Sequence, residues 1–297
     1  MSDLKKKYLQ FIRKQEIIGE KFKDKQKQLT NFYLPFCHKI FKLFKSKNRP
    51  LLLSLSGGQG SGKSTVAQIL KLIFYSNFKL NVVCFSIDDF YKTASERKKM
   101  SKQIHPLFST RGVPGTHNCK MLHNTIKKLL KKNFSSVKIP KFEKSLDDRL
   151  HVKYWQKIKK KPDIIIFEGW CVGAKPQKTK ELKKPINVLE KVEDTKLTWR
   201  RKVNNELKTN YKKIYNLIDK KIYLKVPNFK YVLKWRILQE KKLRLKSKKK
   251  TMNNNQIKRF IMFYERLTKH MLDTLSKTAS IIIKLDNNHK LKSIKFN

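Results

Sequence analysis

Eight consecutive residues have the types and spacing of a loop that binds phosphate groups: Gly57-Gly58-Gln59-Gly60-Ser61-Gly62-Lys63-Ser64. Small residues let successive backbone N–H groups turn toward phosphate oxygens, and a following helix presents its positive N-terminal end to the same anion. The sequence therefore predicts that this loop, extended to Thr65, binds ATP. Lys63 would contact the β- and γ-phosphates as a catalytic residue, and the hydroxyl of Ser64 would coordinate Mg²⁺.

The distribution of glycine supports this prediction. The chain has nine glycines, and all but Gly19 fall within residues 57–62, 112–115 and 169–173. In a chain so poor in glycine, a cluster indicates that the backbone adopts positive φ or that another group approaches it closely. These three segments are therefore the candidate walls of one site.

An acidic pair follows the apolar run 81–87, where a strand is expected to end. The pair is Asp88 and Asp89, and ligands of open α/β sheets bind beyond the carboxyl ends of the strands. A carboxylate at this position can accept or orient the proton of an alcohol that is being phosphorylated. The alternatives are a pair of solvated loop aspartates or a helix N-cap.

Glu168 stands at the end of a third apolar run, 163–167, and is followed by glycine. A carboxylate here resembles the second acid that orients Mg²⁺ in phosphate-binding-loop proteins, either directly or through water. Glu168 is therefore predicted to be a metal ligand together with Ser64. The alternative is a surface ion pair, which the apolar flanks disfavour.

Basic residues in loops are candidates for binding a small anionic substrate. Arg111 and His117 lie in the segment RGVPGTHN, and Lys141 and Arg149 lie in PKFEKSLDDR. Arginine can grip a carboxylate with two parallel hydrogen bonds. Taken alone the pattern is weak, and a single histidine in a turn is more often structural than catalytic.

The elements that must position these residues follow an α/β pattern. Apolar runs at 51–55, 81–87, 163–167, 218–226 and 280–285 are predicted strands, and stretches with helical periodicity lie between them. Such alternation favours a parallel sheet of about five strands with helices on both faces. Residues 1–48 have apolar residues at helical spacing, including Ile17 and Phe22. We expect a helical N-terminal extension, 1–48, packed against a domain formed by 49–297.

The formal charge of +50 could indicate a nucleic-acid or membrane-surface partner. However, lysine supplies 61 of the 72 basic residues (72 minus 11 arginines) and is spread from residue 5 to residue 295. A nucleic-acid site favours clustered arginine with interleaved aromatic residues. We therefore expect no specific nucleic-acid partner, and any duplex binding should be weak and fall steeply with salt.

Other sequence features indicate the compartment. No apolar run approaches the ~20 residues needed to span a bilayer, and the N-terminus lacks the pattern of a signal peptide. The four cysteines are not spaced as a metal knuckle or a redox pair. We expect a cytoplasmic protein without a membrane partner, and the sequence predicts no oligomeric state.

Seven ordered motifs resemble the D-glycerate 3-kinase family and its bacterial relatives, within the uridine kinase, pantothenate kinase and phosphoribulokinase group. The resemblance runs from about residue 33 to the C-terminus. It rests on GGQGSGKST (57–65), SIDDFY (86–91), HPLFSTRGVPGTHN (105–118), IPKFEKSLDDR (139–149), FEGWCVGA (167–174), WRILQEKKL (235–243) and FYERLTKHM (263–271).

This resemblance implies roles for individual residues. Asp88 matches the aspartate taken as the general base of the wider group, and Glu168 matches the acid that orients Mg²⁺. Arg236 is a candidate catalytic residue, because it matches a lid helix, in the region of about 228–255, that folds over the phosphates. Arg111, His117, Lys141 and Arg149 match positions expected near the acceptor substrate, and Asp89 is a further candidate for binding it.

Two residues depart from the family pattern. Asn118 and Glu143 both stand where the family usually has aspartate.

The predicted reaction is transfer of the γ-phosphoryl group of ATP to a hydroxyl of D-glycerate, giving 3-phosphoglycerate. The alternatives are a kinase for another small acceptor, such as pantothenate or a nucleoside, and a nucleic-acid-stimulated ATPase.

Overall fold

The computed structural model describes residues 2–16, 24–246 and 252–297, and it has the α/β architecture that the sequence predicts. Ile17 and Phe22 of the predicted N-terminal helix, and residues 247–251 of the predicted lid region, lie outside the described residues. The strands are β1 (Leu51–Gly57), β2 (Val82–Ser86), β3 (Val137–Ile139), β4 (Phe142–Glu143), β5 (Asp148–Arg149), β6 (Gln156–Ile158), β7 (Ile164–Gly169), β8 (Lys220–Lys225), β9 (Ile281–Leu285) and β10 (Leu291–Phe296).

The helices surround this set of strands. They are α1 (Ser2–Gln15), α2 (Lys25–Gln28), α3 (Leu34–Lys45), α4 (Lys63–Phe78), α5 (Ala94–Gln103), α6 (Cys119–Leu130), α7 (Thr179–Lys183), α8 (Val188–Glu193), α9 (Thr198–Glu206), α10 (Lys212–Tyr215), α11 (Phe229–Lys246) and α12 (Asn254–Thr278). Among these described helices, none combines the length and the apolar character that a membrane crossing requires.

Across the described ranges, the central sheet has six strands in the order β10-β9-β8-β1-β7-β2. The five strands from β9 to β2 are mutually parallel, as predicted, and β10 is antiparallel to β9. The sequence did not indicate β10, because its register shifts between Leu291 and Ser293. Such a bulge interrupts the period-2 alternation by which a strand is recognised.

Alternate residues of the sheet bury two separate apolar layers, because successive side chains of a strand point to opposite faces. Leu52, Ile165 and Phe167 belong to the layer covered by α6, α9, α10 and much of α12. Leu53 and Ile166 belong to the opposite layer, which α1, α3 and α4 cover. The N-terminal helices therefore share a core with the helix that follows the glycine loop. The division of the chain at residue 48 stays a prediction.

A small hairpin lies beside the carboxyl end of β2. Its strands β4 and β5 pair antiparallel, with Phe142 opposite Arg149, and its tip comprises residues 144–147. The ring of Phe142 packs edge-on against Tyr91, 5.2 Å away between ring centroids. The guanidinium of Arg97, which is almost fully buried, donates to the carboxylate of Asp147 at 2.5 Å. These contacts fix the hairpin next to the acids that follow β2.

Candidate active site

The glycine loop joins β1 to α4 in the strand–loop–helix context that its motif requires. The backbone turns at Gly60 and Gly62, with φ of 74° and 84°, which side chains with a Cβ rarely adopt. The loop ends as α4 begins at Lys63, so the N-terminal N–H groups of this helix face the loop. The ammonium of Lys63 donates to the carbonyl of Gly58 at 3.0 Å and thus lies folded over the loop.

Two segments that are distant in sequence contact the glycine loop at Gly60. A Cβ on Gly60 would meet the backbone carbonyl of Trp235, in α11, at 2.8 Å, so helix and loop are in direct contact. The imidazole of His289, in the turn before β10, hydrogen-bonds the Gly60 carbonyl at 2.9 Å. Its ring lies 3.6 Å from that of Trp235 between centroids. The sequence motifs did not indicate either contact, because both join positions far apart in the chain.

Glu168 lies at the carboxyl end of β7 and faces the start of α4. Its Oε1 accepts a hydrogen bond from the hydroxyl of Ser64 at 2.8 Å. Burial raises the pKa of Glu168, and the nearby Lys63 opposes that shift. Burial likewise lowers the pKa of Lys63, against the attraction of Glu168 and Asp88. The two predicted metal ligands and the predicted phosphate-binding lysine therefore form one compact group, in which Lys63 and Glu168 are half-buried and Ser64 is exposed.

The hydroxyl and carboxylate oxygens of Ser64 and Glu168 fit Mg²⁺. This ion prefers oxygen ligands and usually takes few from the protein, completing its octahedron with phosphate oxygens and water. Within the described ranges, no group of three or more His, Cys, Asp or Glu side chains forms a metal cluster. A metal held by the two side chains together with substrate phosphates matches this donor set.

Asp88 comes from the turn after β2, and register places it near Glu168, since Ser86 pairs with Glu168 across the two strands. The hydroxyl of Tyr91 donates to Asp88 Oδ1 at 2.9 Å, and the ammonium of Lys144 donates to Oδ2 at 2.8 Å. Burial alone would raise the pKa of Asp88, but the charge and hydrogen bond of Lys144 hold it well below its usual value. Asp88 is therefore a carboxylate, already oriented, beside the phosphate-binding loop.

Asp89 has a local structural partner. Its carboxylate accepts from the backbone N–H of Ser86 at 3.2 Å and completes a capping box at the start of a 3₁₀ turn. Burial raises the pKa of Asp89 to about 6. The capping alternative therefore holds for Asp89. Asp88 instead lies beside the glycine loop. A substrate contact of Asp89 stays a prediction.

Two of the predicted substrate arginines are paired with acids of the protein. Arg111 forms an ion pair with Asp147 at the hairpin tip, and Arg149 lies 3.5 Å from a carboxylate oxygen of Glu96. Lys141 is exposed at the base of the same hairpin. These three residues lie around the hairpin, and their roles as acceptor ligands stay predictions.

His117 is buried rather than presented as a cation. Its Nδ1 lies 2.5 Å from the hydroxyl of Tyr211, and its ring stacks on Tyr91 with centroids 4.4 Å apart. Burial lowers the pKa of His117 to about 3, so the imidazole is neutral at pH 7. The residue can still position Tyr91, and through it Asp88, but it adds no charge to a carboxylate site.

The departure at Asn118 has a structural explanation. Its side-chain oxygen accepts from the backbone N–H of Met121 at 3.0 Å, and so Asn118 is the N-cap of α6. Asparagine and aspartate stabilise this position about equally. Glu143 uses Oε1 to accept from the N–H and the hydroxyl of Ser145, at 3.0 and 2.5 Å, which shapes the hairpin tip.

Arg236 lies on α11, one residue after the tryptophan that contacts the glycine loop. Its guanidinium pairs with Glu240 on the same helix at 2.6 Å, and it lies over the ring of Phe260 in α12. The side chain is therefore engaged between α11 and α12. Contact with the phosphates, as the lid assignment predicts, stays a prediction.

Lys144 and Tyr264 contact candidate site residues, and the sequence reasoning did not single them out. Lys144 lies in the basic segment PKFEKSLDDR, but only the folded hairpin places it on Asp88. Tyr264 of α12 donates its hydroxyl to the carbonyl of Arg111 at 3.3 Å. The nearby glycine was the available signal, since a Cβ on Gly112 would lie 2.0 Å from the Tyr264 hydroxyl.

Gly112→Ala is expected to lower the free energy of unfolding by about 2–4 kcal/mol, because it adds both a steric clash and a strained backbone. The φ of Gly112 is 137°. Gly173→Ala is the matched control: its φ is 80° but its Cβ would meet no atom closer than 3.8 Å. That control should cost only about 1–2 kcal/mol. Denaturant melts of both variants measure the difference, and equal losses would contradict the close approach of Tyr264.

Comparisons with known proteins agree with this arrangement. The model of the phosphoribulokinase / uridine kinase family matches residues 52–208. An uncharacterized kinase of Schizosaccharomyces pombe, mug58, is 33% identical over 246 residues, which are 80% of this chain and 86% of that protein. The chloroplastic D-glycerate 3-kinase of Arabidopsis thaliana is 29% identical over 84% of this chain and 55% of its own length.

A solved structure shows the same fold. The D-glycerate 3-kinase from Cryptococcus neoformans superposes with a TM-score of 0.75 at 23% identity, covering 89% of this chain and 97% of that one. The resemblance that the seven motifs indicated is thus confirmed at the level of the family. The family model covers more than half of the sequence. In the structure, the glycine loop, Asp88 and Glu168 lie together at adjoining strand ends. The chain therefore belongs to the phosphoribulokinase / uridine kinase family of P-loop kinases.

Proposed function

We propose that this kinase transfers the γ-phosphoryl group of ATP to a hydroxyl of D-glycerate, giving 3-phosphoglycerate. The observation that carries the proposal is the meeting of Lys63, Asp88 and Glu168 at the ends of adjoining strands. The choice of D-glycerate is supported by the Arabidopsis relative, which is named for that reaction.

The reaction follows from these side chains. The acceptor oxygen forms a bond to the γ-phosphorus, and the bond from that phosphorus to the bridging oxygen breaks with its electron pair going to ADP. The acceptor's hydroxyl proton passes to Asp88, which is ionised and held by Tyr91. Lys63 and the loop N–H groups stabilise the charge on the transferring group, so catalysis is mainly positioning and charge neutralisation.

Ser64 and Glu168 would hold Mg²⁺, which supplies charge neutralisation on the phosphates when bound. Arg236 and α11 would act as the lid, and the loop residues 57–65 as the ATP-binding segment. The domain 49–297 is proposed to contain the whole site, with α11 and α12 closing one side. A cytoplasmic location stays a prediction from the sequence.

The acceptor is tested by comparing kcat/KM for D-glycerate, pantothenate and uridine in a coupled ADP assay with one enzyme preparation. We expect D-glycerate to give the highest value. A neutral nucleoside offers no carboxylate to the cations around the hairpin, so it should bind less well than an acid. A Lys63→Ala preparation controls for contaminating kinases.

The assay also separates the alternatives. If D-glycerate is the poorest of the three acceptors, the substrate assignment is wrong and only the kinase assignment remains. Pantothenate carries a carboxylate too, so a preference for it would indicate a related kinase. Nucleic acid added without an acceptor should not raise ADP formation, and a large stimulation would favour the ATPase alternative.

A further inference from the structure

Lys144 is bonded to the carboxylate of Asp88 and is open to solvent, where the carboxylate of a small molecule could reach it. It stands at the tip of the β4–β5 hairpin, and its ammonium donates to Asp88 Oδ2 at 2.8 Å. The Lys144 side chain is 63% exposed and that of Asp88 is 26% exposed. A small molecule that reaches Asp88 from solvent therefore meets Lys144 at the same place.

The position of Lys144 is set by the hairpin. Asp147, three residues on, is gripped by both Arg97 and Arg111. Glu143, the residue before, accepts two hydrogen bonds from Ser145 and closes the turn. The backbone on both sides of Lys144 is thus fixed, while its own side chain is flexible and exposed to solvent.

The two arginines beside the hairpin that the sequence predicts as acceptor ligands already have acidic partners in the protein. Arg111 is paired with Asp147, and Arg149 lies next to Glu96. The partner of Lys144, in contrast, is the carboxylate that we propose as the acceptor of the hydroxyl proton. The Asp88 charge raises the pKa of Lys144, so the ammonium remains charged at neutral pH.

We propose that Lys144 is a specificity-determining residue that binds the carboxylate of the acceptor and, by leaving Asp88, frees that base to receive the acceptor's hydroxyl proton. This inference rests on the proposed function. The exchange replaces one ammonium–carboxylate contact by another, so it costs little for an anionic acceptor. A neutral acceptor offers Lys144 no such partner, and Asp88 stays occupied by the ammonium.

The proposal predicts effects of opposite kind on two acceptors. In Lys144→Met, kcat/KM for D-glycerate should fall by about 10–100-fold, the usual effect of losing a hydrogen bond to a charged group. With glycerol, the neutral analogue, kcat/KM should stay within about threefold or rise, because there is no carboxylate contact to lose and Asp88 is then always free. Lys144→Arg should keep most of the preference for glycerate. Lys138→Met, an exposed lysine on β3, is the control and should change neither acceptor.

The outcomes separate this inference from the proposed function. An equal loss with both acceptors, or no loss with D-glycerate, would overturn the role of Lys144. Lys144→Gln with an unchanged melting temperature checks that a loss does not come from misfolding. If wild type does not phosphorylate D-glycerate at all, the proposed function fails. The same variants are then compared on the acceptor that wild type does phosphorylate, where an uncharged preferred acceptor also overturns the Lys144 proposal.

Discussion

Lys63→Ala is expected to abolish measurable phosphoryl transfer, a loss of at least about 10²–10³-fold in kcat, which is typical for removal of one group that stabilises transition-state charge. The ammonium of Lys63 is folded over the loop at the Gly58 carbonyl, and its partial burial lowers the pKa of Lys63. In the complex it would turn to the β- and γ-phosphates, where water cannot replace it. Since burying this charge is unfavourable, its removal should not lower the melting temperature.

The measurement is ADP formation with D-glycerate, together with thermal melting by circular dichroism. Lys71→Ala, about two turns further along the same helix α4, makes the same substitution away from the loop and should leave turnover unchanged. A folded Lys63→Ala enzyme with near-normal turnover would show that the glycine loop does not carry the chemistry.

Asp88→Asn is expected to lower kcat by about 10²–10⁴-fold, the usual effect of removing a positioned base. The amide keeps the shape and can still accept from the Tyr91 hydroxyl. It cannot take up the acceptor's proton, and it leaves Lys144 without its carboxylate partner. The dissociation constant for ATP should change much less than kcat, because the phosphates are bound by the loop.

Asp273→Asn tests whether loss of any carboxylate has this effect, since Asp273 is exposed on α12. Turnover of that control should equal wild type. Asp89→Asn should have a smaller effect than Asp88→Asn, because an amide oxygen can also accept from the Ser86 N–H. An unchanged kcat in Asp88→Asn would move the base role to Asp89 or remove it.

The sequence could predict the parts of the site that depend on local order in the chain. The glycine loop, the acids after β2 and the acid at the end of β7 directly follow apolar runs. The same pattern therefore predicts both where a strand ends and which residues lie at that end. The same reasoning could not assign charges to partners. Arg111 and Arg149 were grouped as substrate ligands by type, but the hairpin pairs them with Asp147 and Glu96.

Burial and long-range contacts were the other missing information. His117 in a turn gave no sign that it would be enclosed by Tyr91 and Tyr211 and so remain neutral. Lys144 lies in the basic segment PKFEKSLDDR, but the sequence did not single it out until the hairpin brought it to Asp88. Both cases depend on tertiary contacts between residues more than 20 positions apart, for which a single sequence contains no direct signal.

The contact of His289 with the glycine loop affects the order in which parts of the protein can fold during synthesis. The hydrogen bond between Gly60 and His289 spans 229 positions, and that between Gln28 and Leu291 spans 263. Contacts of such separation slow folding, because a long segment must be ordered before they form. During synthesis the loop emerges from the ribosome well before its support does. The nascent kinase should therefore acquire its nucleotide site late, and its exposed sheet edge is open to chaperones until β9 and β10 have docked.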